Sequence, residues 1–262
     1  MLLAADIGNT NIVIGIFRGR SLIKSWKIRT EREKTCDEYG ITLLNLFSSA
    51  DLKKQEIRSV IFSSVVPPLT PVFQQLSRDL FGVKALVVGP GLKTGMPILY
   101  ENPLEVGADR VVAAVAAFAK YGGPAIVVDF GTATTFDAVS EKGEYLGGAI
   151  APGIQIAAEA LYLKTAKLPR IEIRKPQKAI GRTTVSSMQS GLYYGYIGLI
   201  SRIIEEMRKE LGEKTKVIST GGFAAVISRD IQSIQFGEPY LVLEGLRIIF
   251  DRNREQETSQ AR

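Results

Sequence analysis

Across 262 residues the chain has no histidine, which removes imidazole triads, histidine general bases and histidine-liganded zinc together. Its one cysteine, Cys36, excludes an internal disulfide framework and any cysteine metal cluster. An apolar content of 45% is enough for one large domain or two ordinary ones, and a net charge of +6 with a pI near 9.3 suits anionic partners.

In chain order, Leu2–Ala5, Ile12–Phe17 and Leu22–Ile28 read as three meandering strands, the second turn being Arg18-Gly19-Arg20-Ser21. A helix is expected over Glu38–Phe47, a strand over Ile57–Val66 stopped by Pro67-Pro68, a helix over Leu69–Phe81 and a short strand over Ala85–Val88. Gly89 to Glu105 is rich in glycine and proline and reads as a ligand-facing loop. Within it, Gly91-Leu92-Lys93-Thr94 has a superficial P-loop look, but Leu92 stands where that motif requires glycine. A helix over Val111–Lys120 follows, then a turn at Gly122-Gly123-Pro124.

Three more strands are expected at Ile126–Asp129, Thr135–Val139 and Tyr145–Ile150, then a helix over Gly153–Leu163. Lys164–Arg182 is a basic, proline-containing connection, and Thr184–Leu211 a long amphipathic helix with Thr183 or Thr184 as N-cap. Lys216–Thr220 reads as a strand, Gly221-Gly222 opens a helix to Ile227, Glu244–Asp251 is the last helix, and the polar tail from Asn253 is expected to fray. The apolar start lacks a basic leader and is interrupted by Asp6, and Val111–Ala119 falls short of the ~20 residues a bilayer span needs. A cytoplasmic, soluble protein with no membrane partner is expected.

One pattern occurs twice. Leu2-Leu3-Ala4-Ala5-Asp6-Ile7-Gly8-Asn9-Thr10-Asn11 returns as Ala125-Ile126-Val127-Val128-Asp129-Phe130-Gly131-Thr132-Ala133-Thr134-Thr135. Each copy is a buried-strand run ending in a carboxylate, then glycine and small polar residues, then a returning strand. Glycine permits close backbone approach, and turn amides and hydroxyls together suit an anion. Either copy alone also fits an ordinary hairpin, but the pair points to a polyphosphate held by two similar halves. Three strands followed by alternating helix and strand, twice over, resembles the α/β fold of duplicated ribonuclease-H-like domains found in the actin, hexokinase and sugar-kinase superfamily. The halves are expected at residues 1–115 and 116–262, with the nucleotide in the cleft between them.

The order of motifs resembles type III pantothenate kinase across essentially the whole chain. The resemblance rests on Asp6-Ile7-Gly8-Asn9-Thr10-Asn11, Gly107-Ala108-Asp109-Arg110, Asp129-Phe130-Gly131-Thr132-Ala133-Thr134-Thr135 and Gly147-Gly148-Ala149-Ile150-Ala151-Pro152-Gly153, with Ser219-Thr220-Gly221-Gly222 and Leu243-Glu244-Gly245-Leu246 in later positions. Ala133 departs from the asparagine common in the family. The resemblance implies ATP-dependent phosphorylation of pantothenate, the first step of coenzyme A synthesis, with Mg²⁺, a monovalent cation (K⁺ or NH₄⁺) and a homodimer.

It also implies residue roles. Asp109 is the catalytic base, with a helix N-cap as the alternative. Gly107, Ala108 and Arg110 hold pantothenate, Arg110 being suited to a carboxylate and otherwise to an ion pair with Glu105. Asp6 orients Mg²⁺ through water. Gly8, Asn9, Thr10 and Asn11, flanked by Ile7, Ile12 and Val13, wrap the ATP phosphates. Asp129 is the monovalent-cation ligand, and Thr132 touches phosphate. Gly221 and Gly222 pass beneath the adenosine, or merely open a helix. Tyr100 and Thr184 line the pantothenate pocket, Thr184 alternatively being a cap. Another small-molecule kinase of the superfamily is a rival reading. A nucleic-acid-binding transcription accessory factor is another, but no helix-turn-helix, aromatic platform or basic run of five supports it.

Overall fold

A computed structural model describes the backbone of residues 1–260 and the side chains of residues 1–254. Strand β1 (Leu2–Ile7) is an almost unbroken apolar run, as a strand covered on both faces must be, and only Asp6 interrupts it. It pairs antiparallel with β2 (Asn11–Arg18), which pairs antiparallel with β3 (Ser21–Arg29). On its other side β1 pairs parallel with β4 (Ser59–Ser64), itself parallel to β5 (Leu86–Val87). Between β3 and β4 lies α1 (Cys36–Ser48), opened by a capping box in which the Thr35 amide donates to Glu38 Oε2 at 2.8 Å. Helix α2 (Leu69–Phe81) ends at Gly82 with φ +69°. Tyr39, Leu43 and Phe47 of α1 and Leu69, Phe73 and Leu76 of α2 pack with Ile7, Ile12, Ile14 and Phe62 of the sheet.

The second sheet repeats this plan strand for strand. β6 (Ala125–Phe130), again apolar except for Asp129, pairs antiparallel with β7 (Ala133–Val139), and β7 antiparallel with β8 (Tyr145–Pro152). β9 (Lys216–Thr220) lies parallel to β6, and the two-residue β10 (Phe236–Gly237) parallel to β9. The orders β3-β2-β1-β4-β5 and β8-β7-β6-β9-β10 are the same order written for two halves. Register shifts fall at Ile16/Phe17 and at Ala138/Val139, equivalent positions. Tyr193, Tyr196, Ile200 and Ile204 of the long α5 (Thr184–Leu211) pack on Ile126, Val128, Phe130 and Phe136. Helix α4 (Ile154–Lys164) begins directly after β8, and α6 (Ala224–Ile227) is a single turn.

Most strand and helix ends move by one or two residues from expectation, and three helices differ more. Helix α3 spans Ala108–Tyr121, so Asp109 and Arg110 lie in its first turn rather than ahead of it. The helix opened by Gly221-Gly222 is shorter than expected and passes into a 3-10 turn at Ser228–Asp230. The last helix, α7, runs over Leu241–Gln260 rather than stopping at Asp251, so the backbone from Asn253 continues the helix, and only residues 261 and 262 of the expected tail lie outside the described residues.

By contacts, one compact unit comprises Met1–Met96, Asn102–Ala116 and the chain from Val242 onward; the other comprises Pro97–Glu101 and Ala117–Leu241. The chain passes between the units at Ala116–Ala117 and at Leu241–Val242, and residues 97–101 group with the second unit. The last helix packs tightly in the first unit. A Cβ on Gly15 would lie 2.7 Å from Leu243 Cδ1, and one on Gly245 would overlap the Val112 carbonyl.

Candidate active site

In the first unit, the β1–β2 turn is built by hydrogen bonds. Gly8 N–H donates to Asn11 O at 3.0 Å and closes the turn, and a Cβ on Gly8 would sit 3.0 Å from that same oxygen. Thr30 Oγ1 donates to Gly8 O at 2.6 Å, and Thr30 N–H to Thr10 O at 3.0 Å. Arg32 Nη2 donates to Asn9 Oδ1 at 3.0 Å, bringing a cation to the turn. Asn9 and Thr10 face solvent. Asp6, half-buried, stands beside Ser63 in the parallel β1–β4 ladder, and Ser63 Oγ donates to Asp6 Oδ1 at 2.7 Å. Ser63 is itself fully buried, so the carboxylate is oriented from within the sheet.

Asp109 lies one residue into α3. Gly107 O accepts from the amides of Arg110 (3.1 Å) and Val111 (3.3 Å), which makes residue 107 the start of the helix and removes the N-cap alternative for Asp109. Asp109 Oδ1 accepts from the Arg110 amide at 2.9 Å. A Cβ on Gly107 would lie 2.5 Å from Asp109 Oδ1, so a side chain there would displace the carboxylate from its present place. Burial pushes the Asp109 carboxyl above its ordinary value, opposed by the Arg110 amide and the Arg110 charge. Val65 ties this turn to the β1–β2 turn: its amide donates to Ile7 O at 3.1 Å, and its side chain lies 3.7 Å from where a Gly107 Cβ would be. In the first unit Val65 thus links the end of β1 to the turn that carries Asp109.

In the second unit the equivalent turn is shaped by missing side chains. Gly221, at φ +94°, packs its backbone on Asp129; a Cβ there would overlap Asp129 Oδ1 and lie 2.6 Å from Phe130 N. Gly153 N–H donates to Thr132 O at 3.2 Å, and a Cβ on Gly153 would lie 2.7 Å from Gly131 O. Asp129 is half-buried, while Thr132 and Gly222 are exposed. Thr134 is buried and bonded to the Tyr196 hydroxyl, and Thr135 Oγ1 donates to Asp137 Oδ2 at 3.1 Å, so these two threonines serve the interior. Tyr100 is 37% exposed and lies against Gly147. Thr183 caps α5 through the Ser186 amide at 3.1 Å, so Thr184 is not the cap; it is the exposed first residue of the helix.

Ser63, Thr30 and Arg32 are absent from the sequence-derived site. Each reaches its turn partner from 22 to 57 residues away in sequence. Their only signal was position: Ser63 at the end of a predicted strand, Thr30 and Arg32 just past another.

The sequence model of type III pantothenate kinase matches residues 2–206. A type III pantothenate kinase of Geobacter sulfurreducens is 55% identical over 255 residues, covering 97% of this chain and 100% of that one. The chain belongs to the type III pantothenate kinase family. As a member of that family it also shares its fold with solved structures of low identity. A Campylobacter jejuni protein provisionally named a Baf family transcriptional activator superposes with a TM-score of 0.61 at 19% identity, covering 97% of this chain and 99% of that one. An inorganic polyphosphate/ATP-glucomannokinase of an Arthrobacter strain gives 0.50 at 14% identity, covering 96% and 98%. The fold is the α/β architecture of duplicated ribonuclease-H-like domains, as the matching strand orders require.

Proposed function

We propose that the chain transfers the γ-phosphoryl group of ATP to the primary hydroxyl of pantothenate, giving 4′-phosphopantothenate and ADP. Family membership supports the substrate. The observation that carries the chemistry is Asp109, a carboxylate with a raised pKa held by a glycine turn beside the end of β1. The substrate oxygen attacks phosphorus, the bond to the bridging oxygen of ADP breaks, and Asp109 takes the hydroxyl proton. Phosphoryl transfer asks the protein mainly for positioning and charge stabilisation. Asn9 and Thr10 are offered to the phosphates, with the amides of Gly8–Asn11, and Ile7, Ile12 and Val13 as the strand ends that fix them. Arg32, by occupying Asn9 Oδ1, orients that amide so that its N–H₂ is presented as the donor. Thr132 is assigned to phosphate in the second unit, and Gly221 and Gly222 to the adenosine. Gly107, Ala108, Arg110, Tyr100 and Thr184 are assigned to pantothenate, with Arg110 opposite its carboxylate.

Asp6 would hold Mg²⁺ through water and Asp129 a monovalent cation, K⁺ or NH₄⁺. The donors fit hard oxygen-liganded ions. Mg²⁺ commonly keeps several waters and binds through one or two carboxylates with substrate phosphates, so one carboxylate such as Asp6 would suffice for it. Such cations neutralise charge developing on the phosphates. A homodimer is supported by apolar residues exposed on α4 (Ile156, Leu163) and α5 (Val185, Tyr194, Leu199). We place the reaction in the cytoplasm; among the described residues no helix is long and apolar enough to cross a membrane.

The test is ADP release with ATP, Mg²⁺ and pantothenate, repeated with Na⁺ in place of K⁺. Turnover that requires pantothenate and falls in Na⁺ is expected. ATP binding without pantothenate-dependent turnover overturns the substrate assignment and turns attention to other hydroxylated acceptors.

A further inference from the structure

The two sheets match register for register, and at one matched position their side chains differ in kind. Gly15 of β2 pairs with Ala4, and its counterpart on β7, paired with Val127, is Asp137. A carboxylate at a strand position 1% exposed is costly unless hydrogen-bonded. Two hydroxyls donate to it: Tyr145 OH to Oδ1 at 2.7 Å and Thr135 Oγ1 to Oδ2 at 3.1 Å. The first has the length of a charge-assisted bond.

Tyr145 is fully buried and is the first residue of β8. Its backbone holds the stretch that carries Tyr100: Tyr145 N–H donates to Pro97 O, and Leu99 N–H to Tyr145 O, both at 2.8 Å. The Tyr100 ring stands 6.5 Å from the Tyr145 ring and lies over Gly147, where φ is +122° and a Cβ would lie 3.4 Å from it. Residues 97–101 belong to the second unit although both flanking stretches belong to the first. The contacts that hold them there run through Tyr145 and Gly147.

We propose that Asp137 is a positioning residue for the phosphoryl acceptor: by fixing Tyr145 it fixes residues 97–101, and so the placement of Tyr100. This rests on the reading above that Tyr100 lines the pantothenate pocket. Asp137 is too deep to meet substrate, so its influence falls on acceptor binding and not on ATP or the chemical step.

The experiment uses the full chain with Asp137→Asn, Tyr145→Phe and the double variant, read by amide hydrogen exchange at Leu99 and by steady-state kinetics. Protection at Leu99 is expected to fall about tenfold, and the pantothenate KM to rise about tenfold, with the ATP KM and kcat nearly unchanged. The double variant is expected to be no worse than Tyr145→Phe, since Tyr145→Phe deletes the bond that Asp137→Asn weakens. Thr135→Val takes away a donor other than Tyr145 and is expected to keep Leu99 protection, which a merely structural role for Asp137 would not allow. Unchanged Leu99 protection in a folded Tyr145→Phe protein overturns the proposal, as does a parallel rise in both KM values. If Asp137→Asn does not fold, Tyr145→Phe alone decides. A wild-type protein that ignores pantothenate overturns the functional reading instead, and the exchange measurement still decides whether the Asp137–Tyr145 bond holds residues 97–101.

Discussion

The turn after β1 and the turn after β6 stand at the same place in two sheets of identical strand order, yet they are held by opposite means. The first spans four residues between the paired Ile7 and Ile12; side chains of Thr30 and Arg32 converge on it, and Ser63 holds Asp6 just before it. The second spans three residues between Phe130 and Thr134, and is enclosed by Gly131, Gly153 and Gly221, each allowing backbone to touch backbone or carboxylate. One scaffold, used twice, shapes one turn by supplying polar groups and the other by withholding side chains. The first is therefore sensitive to lost hydrogen bonds and the second to added volume.

The largest test concerns where the chemistry sits. If the first unit carries the reacting groups, Asp109→Asn lowers kcat by roughly 10²–10⁴-fold, the usual worth of a general base. The same variant is expected to melt no lower than wild type near neutral pH, because it removes a buried charge. Full activity in this variant would sink the base assignment.

Next comes the contrast between the glycines. Gly221→Ala forces a Cβ onto Asp129 at φ +94°, and is expected to cost about 2–4 kcal/mol and to weaken the K⁺ dependence. Gly8→Ala meets a carbonyl at 3.0 Å without a left-handed φ, and is expected to cost about 1 kcal/mol. Denaturant melts of the two variants measure this, and equal costs would erase the distinction drawn here. Ser63→Ala sharpens it from the other side. Removing the donor to Asp6 is expected to cost about 1 kcal/mol and raise the ATP KM several-fold, leaving the pantothenate KM alone.

The smallest effect lies in pH. Since burial raises the Asp109 pKa, the acid limb of kcat/KM falls above the ordinary aspartate value of 3.8, activity being lost as pH drops through the raised value. For stability the sign is the reverse. The neutral carboxyl is tolerated at low pH, and the cost of ionising it in its buried setting grows as pH rises from 3.8 through the folded-state value. Asp109→Asn is expected to abolish that part of the pH dependence of melting.

Much of this was readable from residues alone, for physical reasons. β1 and β6 are covered on both faces, so a lone carboxylate near the end of each apolar run stands out, and the turns after them follow. Helix α2 was bounded correctly by Pro67-Pro68 ahead of it and Gly82 after it. The start of α3 was hidden because Gly107-Ala108-Asp109 has loop-like composition, while the helix is set by Gly107 O accepting the amides of Arg110 and Val111. β10, two residues long, carries no period to detect. Ser63 and Thr30 were invisible as site residues because their reach to Asp6 and Gly8 depends on strand pairing, which local patterns do not encode. The Asp137–Tyr145 bond was missed because a single acid in a strand reads as its solvent face, and here it points inward.

The place of α7 bears on how the molecule is made. The ribosome releases residues 117–241 as one continuous stretch, and with the earlier residues 97–101 they complete the second unit while the first still lacks its last helix. Until that helix emerges, the groove beside Gly15 and Val112 has no Leu243 or Gly245 to fill it. The nascent chain therefore matures out of order: the second unit has all its residues before the first, interrupted one receives α7.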